Sequence, residues 1–260
     1  MSRYARMFDR LNGEGAFGAF LMLGDPDLDT SAKLLDAAVA GGADMVEVGI
    51  PFSDPIADGP VIQAAAQRAL AAGVRVSHCF DLLADFRTRH AHVPIGILTY
   101  ANIVAARSGF MRDAADAGAD SLLIADVPVL EAVRFSGMMK QAGVEPVLIA
   151  APNTPRATLA RIAALSSAYT YCVARAGVTG ERDELALDHA ALFETLRVLG
   201  ASPPVLGFGI STPGQVREAL VAGAAGVISG SAVVRAAMTE GADGVQSFVQ
   251  LMKAATMRAG

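Results

Sequence analysis

Two carboxylates stand close together in a stretch that is otherwise mostly apolar. Glu47 interrupts the apolar run at residues 45–50, and Asp58 follows eleven positions later, after two prolines and just before Gly59. If Glu47 faces an apolar interior, desolvation raises its pKa and prepares it to give a proton near neutrality. A second carboxylate in a wetter loop stays ionised more easily, so the two acids can hold different protonation states around one substrate. The pair therefore predicts proton-transfer chemistry.

Each carboxylate also has a structural interpretation when it is taken alone. Glu47 could be a buried carboxylate held in a hydrogen-bond network. Asp58 could cap the N-terminus of the helix that opens at Gly59 and Pro60. Both interpretations stay open at the level of single residues, and it is the pairing that favours catalysis.

A second group of residues is suited to binding an anion through the backbone. Gly209 lies in the segment GFGIS at residues 207–211, and Gly230 and Ser231 lie in ISGSA at residues 228–232. Each segment follows a predicted strand and precedes a predicted helix. Glycine N–H groups and a helix N-terminus bind phosphate in many barrels at these two places. Tight turns are the alternative for either cluster alone.

The elements that must position these residues alternate regularly between strand and helix. A helix ending in Ala-Gly and followed by an apolar strand recurs at residues 36–49, 113–126 and 218–230. Strands that are apolar at every position are typical of parallel sheets covered by helices. We predict eight strands, at residues 16–23, 45–50, 95–99, 121–125, 145–150, 169–174, 205–208 and 226–229.

This alternation predicts the α/β class and a single domain over residues 1–260, a (β/α)8 TIM barrel with an extra N-terminal helix at residues 2–11. An open doubly wound sheet is the structural alternative. In a barrel the catalytic groups are expected where strands end, because the loops that follow them converge over one mouth.

Composition excludes several classes of function. The formal net charge is -5 over 260 residues, and nucleic-acid binding needs a concentrated cationic face, so we expect no nucleic-acid partner. No apolar run approaches the roughly 18 to 20 residues of a membrane span, and the N-terminus does not resemble a signal peptide. Cys79 and Cys172 cannot make a disulfide framework or a four-cysteine metal site. A cytoplasmic protein with no membrane partner is expected.

The segment EVGIPFSDPIADGPVIQ at residues 47–63 closely resembles the signature of tryptophan synthase α subunits. Further matching segments occur in family order over nearly the whole chain, so the resemblance extends well beyond the fold. They include GDP at residues 24–26, PIGILTYAN at 94–102, IADVP at 124–128, APNTP at 151–155 and RAGVTG at 175–180, besides the two glycine segments.

The resemblance implies a lyase that cleaves indole-3-glycerol phosphate into indole and glyceraldehyde 3-phosphate by a retro-aldol reaction. Glu47 would donate a proton to C3 of the indole ring and take the hydroxyl proton of the tail, and Asp58 would accept a hydrogen bond from the ring N–H. Tyr171 matches the active-site tyrosine of the family.

The resemblance also implies the remaining site residues. Arg175 and Thr179 would belong to a lid that closes over the substrate, with Thr179 bonding the aspartate, and Gly180 would help to bind the phosphate. The apolar pocket around the indole ring would be formed by Phe20, Leu98 and Tyr100.

Members of the family work as α2β2 complexes with a β subunit that carries pyridoxal phosphate, so no cofactor and no metal are expected in this chain. A standalone lyase and a catalytically idle activator of the β subunit are the alternatives within the family. A Schiff-base aldolase on another phosphate-binding barrel is disfavoured, since Lys33, Lys140 and Lys253 all lie in predicted helices. Met22, Thr99 and Ala174 depart from residues that are common in the family.

Overall fold

The computed structural model describes residues 1–173 and 189–257. Within these ranges nine parallel strands form one sheet, ordered β5-β4-β3-β2-β1-β9-β8-β7-β6. The strands are β1 (Ala16–Met22), β2 (Met45–Gly49), β3 (Ile95–Thr99), β4 (Ser121–Ile124), β5 (Glu145–Pro146), β6 (Leu148–Ala150), β7 (Thr170–Val173), β8 (Pro204–Gly207) and β9 (Gly226–Ser229).

The nine strands correspond to the eight predicted ones, because the strand predicted at residues 145–150 is divided at Val147. Its first half, β5, pairs with β4, and its second half, β6, pairs with β7. Since β1 pairs with both β2 and β9, the sheet curls into a nearly closed barrel. The predicted TIM-barrel fold is confirmed, and the doubly wound alternative is wrong.

Helices cover the outside of the barrel. The predicted N-terminal helix is present as α1, and α11 contains a kink at Gly241, whose φ is 62°. The helices are α1 (Arg3–Leu11), α2 (Leu28–Ala40), α3 (Pro60–Ala71), α4 (Val76–Arg89), α5 (Ala101–Ala106), α6 (Phe110–Asp116), α7 (Ala132–Gln141), α8 (Arg156–Leu165), α9 (His189–Val198), α10 (Pro213–Val221) and α11 (Ser231–Ala254).

The core has two layers because successive strand side chains point to opposite faces of the sheet. On β1, Phe17, Ala19 and Leu21 pack outward against the helices, while Phe20 and Met22 point into the barrel. Both faces are buried, which explains why the strands are apolar at every position. A polar residue that points inward, such as Glu47, is therefore placed in an environment of low polarity.

Helix α1 closes the end of the barrel opposite the loops that follow the strands. Tyr4 is buried there and shares a hydrogen bond of 2.9 Å with Ser121 on β4. Its ring packs against that of Tyr169, with the centroids 5.4 Å apart. A Cβ on Gly96 would lie 3.0 Å from the Tyr4 hydroxyl, so the glycine leaves the room that this tyrosine occupies. Solvent is thus excluded from the interior below Glu47.

No helix of residues 1–173 and 189–257 is long and apolar enough to cross a membrane. The same residues contain no group of histidine, cysteine, aspartate and glutamate side chains arranged to hold a metal ion. Cys79 and Cys172 are free and buried.

Candidate active site

Glu47 occupies the middle of β2 and points into the barrel. Its neighbours in register are Phe20 on β1 and Gly96 on β3, and only 2% of its surface is exposed. The Tyr169 hydroxyl donates a hydrogen bond of 2.7 Å to Oε1, whereas Oε2 has no partner among the described residues. Burial raises the pKa of Glu47 to about 7, helped by the nearby charge of Asp58 and opposed by the bond from Tyr169. The group is therefore poised to give or take a proton near neutrality.

Asp58 lies on the loop between β2 and α3 and is also buried, at 8% exposure. The Tyr100 hydroxyl donates to its Oδ2 over 2.9 Å, and the Gln63 side chain donates to its backbone carbonyl over 2.7 Å. Burial raises the pKa of Asp58 to about 6, against the hydrogen bond from Tyr100. Gly59, not Asp58, is the N-cap of α3, so the interpretation of Asp58 as a helix cap is wrong.

Both carboxylates face one cavity at the mouth of the barrel, with a volume of about 550 Å³ including its opening. Its lining includes apolar side chains and the loops that follow β8 and β9. The lining residues are Phe20, Glu47, Asp58, Ile62, Leu98, Tyr171, Phe208, Gly209, Ile210, Ile228, Gly230, Ser231 and Ala232.

The loop after β8 has an unusual backbone. Phe208 and Gly209 both have positive φ, at 67° and 81°, a region that is unfavourable for a residue with a Cβ. Ser229 on β9 donates to the carbonyl of Ile210 over 2.6 Å and so fixes this loop to the next strand. With this backbone conformation at residues 208 and 209, Gly209 lies on the wall of the cavity.

The two helices that begin at this end differ in their capping. Thr212 and Gln215 form a capping box on α10, in which the backbone N–H of each donates to the side chain of the other. Helix α11 begins after Gly230, which makes no side-chain cap, and its first residues Ser231 and Ala232 line the cavity. Uncapped N–H groups and the helix dipole together favour an anion at this point.

Tyr171 also lines the cavity, next to the loop that follows β8. Its ring packs edge-on against Phe208, with the centroids 6.0 Å apart. A Cβ on Gly207 would lie 2.1 Å from the Tyr171 hydroxyl, so the side chain is accommodated only because residue 207 is glycine.

Most of the residues singled out in the sequence meet at this cavity. Tyr100 is the exception among the described ones, since it does not line the cavity but lies behind Asp58 and binds it. Arg175, Thr179 and Gly180 lie outside the described residues. Those that line the cavity are Phe20, Glu47, Asp58, Leu98, Tyr171, Gly209, Gly230 and Ser231.

Sequence reasoning missed several contacts. Tyr169, which binds Glu47, precedes β7 and stands two positions before Tyr171; a period of two was a signal that both rings face inward. Ile62 on α3 reaches the cavity because its helix begins just after Asp58. Phe208 gave no signal, since its inward position depends on a positive φ that the sequence does not predict.

Comparison with known proteins gives one consistent result. The family model described as "Tryptophan synthase alpha chain" matches residues 8–259. A curated relative of that name from Aeromonas hydrophila is 47% identical over 99% of this chain and 100% of its own length. Another from Shewanella amazonensis is 46% identical over 98% of this chain and 100% of its own.

Solved structures agree with the sequence relatives. Tryptophan synthase of Mycobacterium tuberculosis superposes with a TM-score of 0.90 at 30% identity, covering 99% of both chains. A chain from the tryptophan synthase α2β2 complex of Pyrococcus furiosus gives a TM-score of 0.84 at 33% identity, covering 92% of this chain and 98% of that one. The similarity in sequence, extent and fold shows that the chain belongs to the tryptophan synthase alpha chain family.

Proposed function

We propose that this protein cleaves indole-3-glycerol phosphate to indole and glyceraldehyde 3-phosphate, as the α subunit of tryptophan synthase. The observation that carries the proposal is the pair of buried carboxyls facing one cavity, with pKa values of about 7 for Glu47 and about 6 for Asp58. Between these values one acid is protonated while the other is ionised. Family membership supplies the substrate.

The cleavage needs two proton transfers. Glu47 in its protonated form donates to C3 of the indole ring, which leaves a cationic ring system. The bond between C3 and the first carbon of the tail then breaks, and its electron pair returns to the ring. That carbon becomes the aldehyde carbon as its hydroxyl proton passes to the Glu47 carboxylate. Glu47 ends protonated, as it began, so the cleavage is balanced without a metal, an organic cofactor or an oxidant.

Asp58 acts on the ring nitrogen. Its ionised carboxylate accepts a hydrogen bond from the ring N–H and stabilises the positive charge that C3 protonation creates. Phe20 and Leu98 on neighbouring walls provide apolar surface for the ring, and Tyr171 lies beside the reacting tail.

The phosphate binds at the opposite end of the cavity. Gly209 and the residues Gly230 and Ser231 at the start of α11 offer backbone N–H groups there. A phosphate site built on backbone groups is compatible with the formal charge of -5. On the family resemblance, Gly180 completes the phosphate site, and Arg175 and Thr179 belong to a lid that excludes water.

The partner is a tryptophan synthase β subunit, which carries the pyridoxal phosphate, in an α2β2 assembly in the cytoplasm. The structure from Pyrococcus furiosus is described as that of a mutually activated α2β2 complex. In this chain the loop that carries Asp58 also presents Ile56, whose surface is 72% exposed. We place this loop toward the β subunit, so that binding there biases the position of Asp58.

The test is a steady-state assay of indole release from indole-3-glycerol phosphate, with and without purified β subunit. We expect the wild type to release indole and the β subunit to raise the rate. Glu47→Gln and Asp58→Asn should each lower kcat by about 10²- to 10⁴-fold, the usual contribution of a positioned acid or base. Glu194→Gln, at an exposed glutamate on α9, is the matched control and should leave the rate unchanged.

Each outcome has one meaning. A wild type that releases no indole under either condition overturns the proposed reaction. Full activity in both carboxylate variants overturns the proposed roles of the residues. A full rate in isolation that the β subunit does not change overturns the partnership and supports a standalone lyase.

A further inference from the structure

Tyr100 lies next to the site without lining the cavity. It directly follows β3 and is the N-cap of α5, so its backbone is fixed on both sides by regular structure. The side chain is 2% exposed and extends across to the loop after β2. The ring of Phe52 packs against it, with the centroids 5.2 Å apart. The hydroxyl is thus held at a defined place on the Asp58 loop.

The hydroxyl makes two hydrogen bonds to that loop. The backbone N–H of Ala57 donates to Tyr100 Oη over 3.2 Å, and Tyr100 donates to Asp58 Oδ2 over 2.9 Å. An amide N–H can only donate, so the Tyr100 oxygen is the acceptor there and its own proton points to the carboxylate. The Tyr100 hydroxyl therefore donates its proton to the hydrogen bond with Asp58.

We propose that Tyr100 is a positioning residue that keeps Asp58 ionised and fixes one of its oxygens, leaving the other to meet the substrate. This inference rests on the proposed function and deepens it. Tyr100 does not line the cavity, and it acts through Asp58.

The charges around Asp58 explain why a donor is needed. Glu47 on β2 and Tyr171 on β7 both lie close enough to Asp58 for their charges to interact. Asp126, which follows β4, lies near Tyr100. Asp54 is exposed on the loop that carries Asp58. These groups are acidic or phenolic, and burial further disfavours the charge of Asp58. A hydrogen bond to the charged form counteracts both effects. Burial and the Asp58 charge raise the pKa of Tyr100, so the hydroxyl keeps its proton throughout this range.

The test is the pH dependence of kcat/KM for indole-3-glycerol phosphate in Tyr100→Phe, which keeps the ring and removes one oxygen. Loss of the donor raises the pKa of Asp58, so the acidic limb of the profile should move up by about one pH unit. The ratio of wild type to variant should be about tenfold near pH 5.5 and close to one near pH 8. A residue that serves packing alone would give the same ratio at every pH.

Tyr4→Phe is the matched control, because it also removes the hydroxyl of a buried tyrosine, one that binds Ser121 and not Asp58. Its acidic limb should coincide with that of the wild type. A direct titration of Asp58 by carboxyl-carbon NMR, with the signal assigned by its loss in Asp58→Asn, measures the same shift without an assay. It also shows whether Tyr100→Phe is folded.

An acidic limb and an Asp58 titration that are both unchanged in Tyr100→Phe would overturn the inference. An unfolded Tyr100→Phe would also overturn it, since the residue would then be structural. A wild type that releases no indole overturns the proposed function instead. The NMR titration still judges the role of Tyr100 in that case.

Discussion

The two ends of the cavity are built on different principles. At one end Glu47 and Asp58 are side chains whose pKa values are raised by burial and balanced by tyrosine hydroxyls. At the other end Gly209 and the start of α11 present backbone N–H groups, and what matters is the conformation of the chain. Proton transfer needs groups whose affinity for a proton can be adjusted, whereas phosphate binding needs only fixed dipoles.

The difference predicts how each end responds to substitution. A change at the carboxylate end should alter pH dependence, both of stability and of rate. A change at the glycine end should alter substrate affinity through backbone strain and leave pH dependence as it is. Each of the following experiments would break or sharpen this contrast.

Among the experiments that separate the two ends of the cavity, the largest effect is expected on the stability of Glu47→Gln. The pKa of Glu47 rises from 4.5 to about 7 on folding, so between these values the folded state retains a proton that the unfolded state has lost. The free energy of unfolding of the wild type therefore falls as pH rises through this window. Glutamine resembles the neutral acid and does not titrate. Relative to the wild type, Glu47→Gln should gain about 2 kcal/mol between about pH 5 and pH 8.

Urea unfolding of both proteins across this pH range measures the difference. A difference in the free energy of unfolding that is the same at every pH has other causes. Only the change of this difference with pH reports on the titration of Glu47. Parallel stability curves for the two proteins would mean that Glu47 titrates normally. The carboxylate end would then lose the property that separates it from the glycine end.

A smaller effect is expected from Gly209→Ala. Residue 209 has φ of 81°, and an added Cβ would meet no atom within 4 Å. The alanine therefore affects the backbone alone, and it makes the positive-φ conformation of this loop less favourable by about 1 kcal/mol. The phosphate is remote from the breaking bond, so KM should rise about fivefold with kcat nearly unchanged.

Gly143→Ala is the matched control for this measurement. Residue 143 has φ of 82°, also with no atom within 4 Å of an added Cβ, and it lies between α7 and β5, away from the cavity. The strain is the same, and KM should not change. A fall in kcat with constant KM in Gly209→Ala would mean that this loop takes part in the chemistry.

The sequence predicted the fold well because the barrel repeats one simple pattern. Continuous apolar runs and Ala-Gly helix ends locate all eight predicted strands to within one or two residues. The division of the fifth strand at Val147 was not predicted, although Pro146, which has no N–H to donate to the ladder, was a signal that this strand is interrupted. The single domain over residues 1–260 stays a prediction.

The site was predicted in its residues more than in its contacts. Glu47 was found because a carboxylate is rare in an apolar strand, and Asp58 because it lies on the loop that directly follows that strand. Tyr100 was predicted as a wall of the indole pocket, and its hydrogen bond to Asp58 was not predicted, because the distance between the two residues depends on the path of the loop. The hydrogen bond from Tyr169 was not predicted either, because its partner Glu47 is 122 positions away in the sequence. Long-range hydrogen bonds of this kind depend on how the strands are staggered, which periodicity does not reveal.

The central claim is that Glu47 is protonated while Asp58 is ionised, and the pH profile of wild-type kcat/KM for indole-3-glycerol phosphate tests it most directly. We expect a narrow bell whose acidic limb lies near the Asp58 pKa of about 6 and whose basic limb lies near the Glu47 pKa of about 7. Because the two groups interact, these limbs belong to the pair. A rate that keeps rising to about pH 9 would contradict the claim, because the cleavage would then proceed without a protonated Glu47.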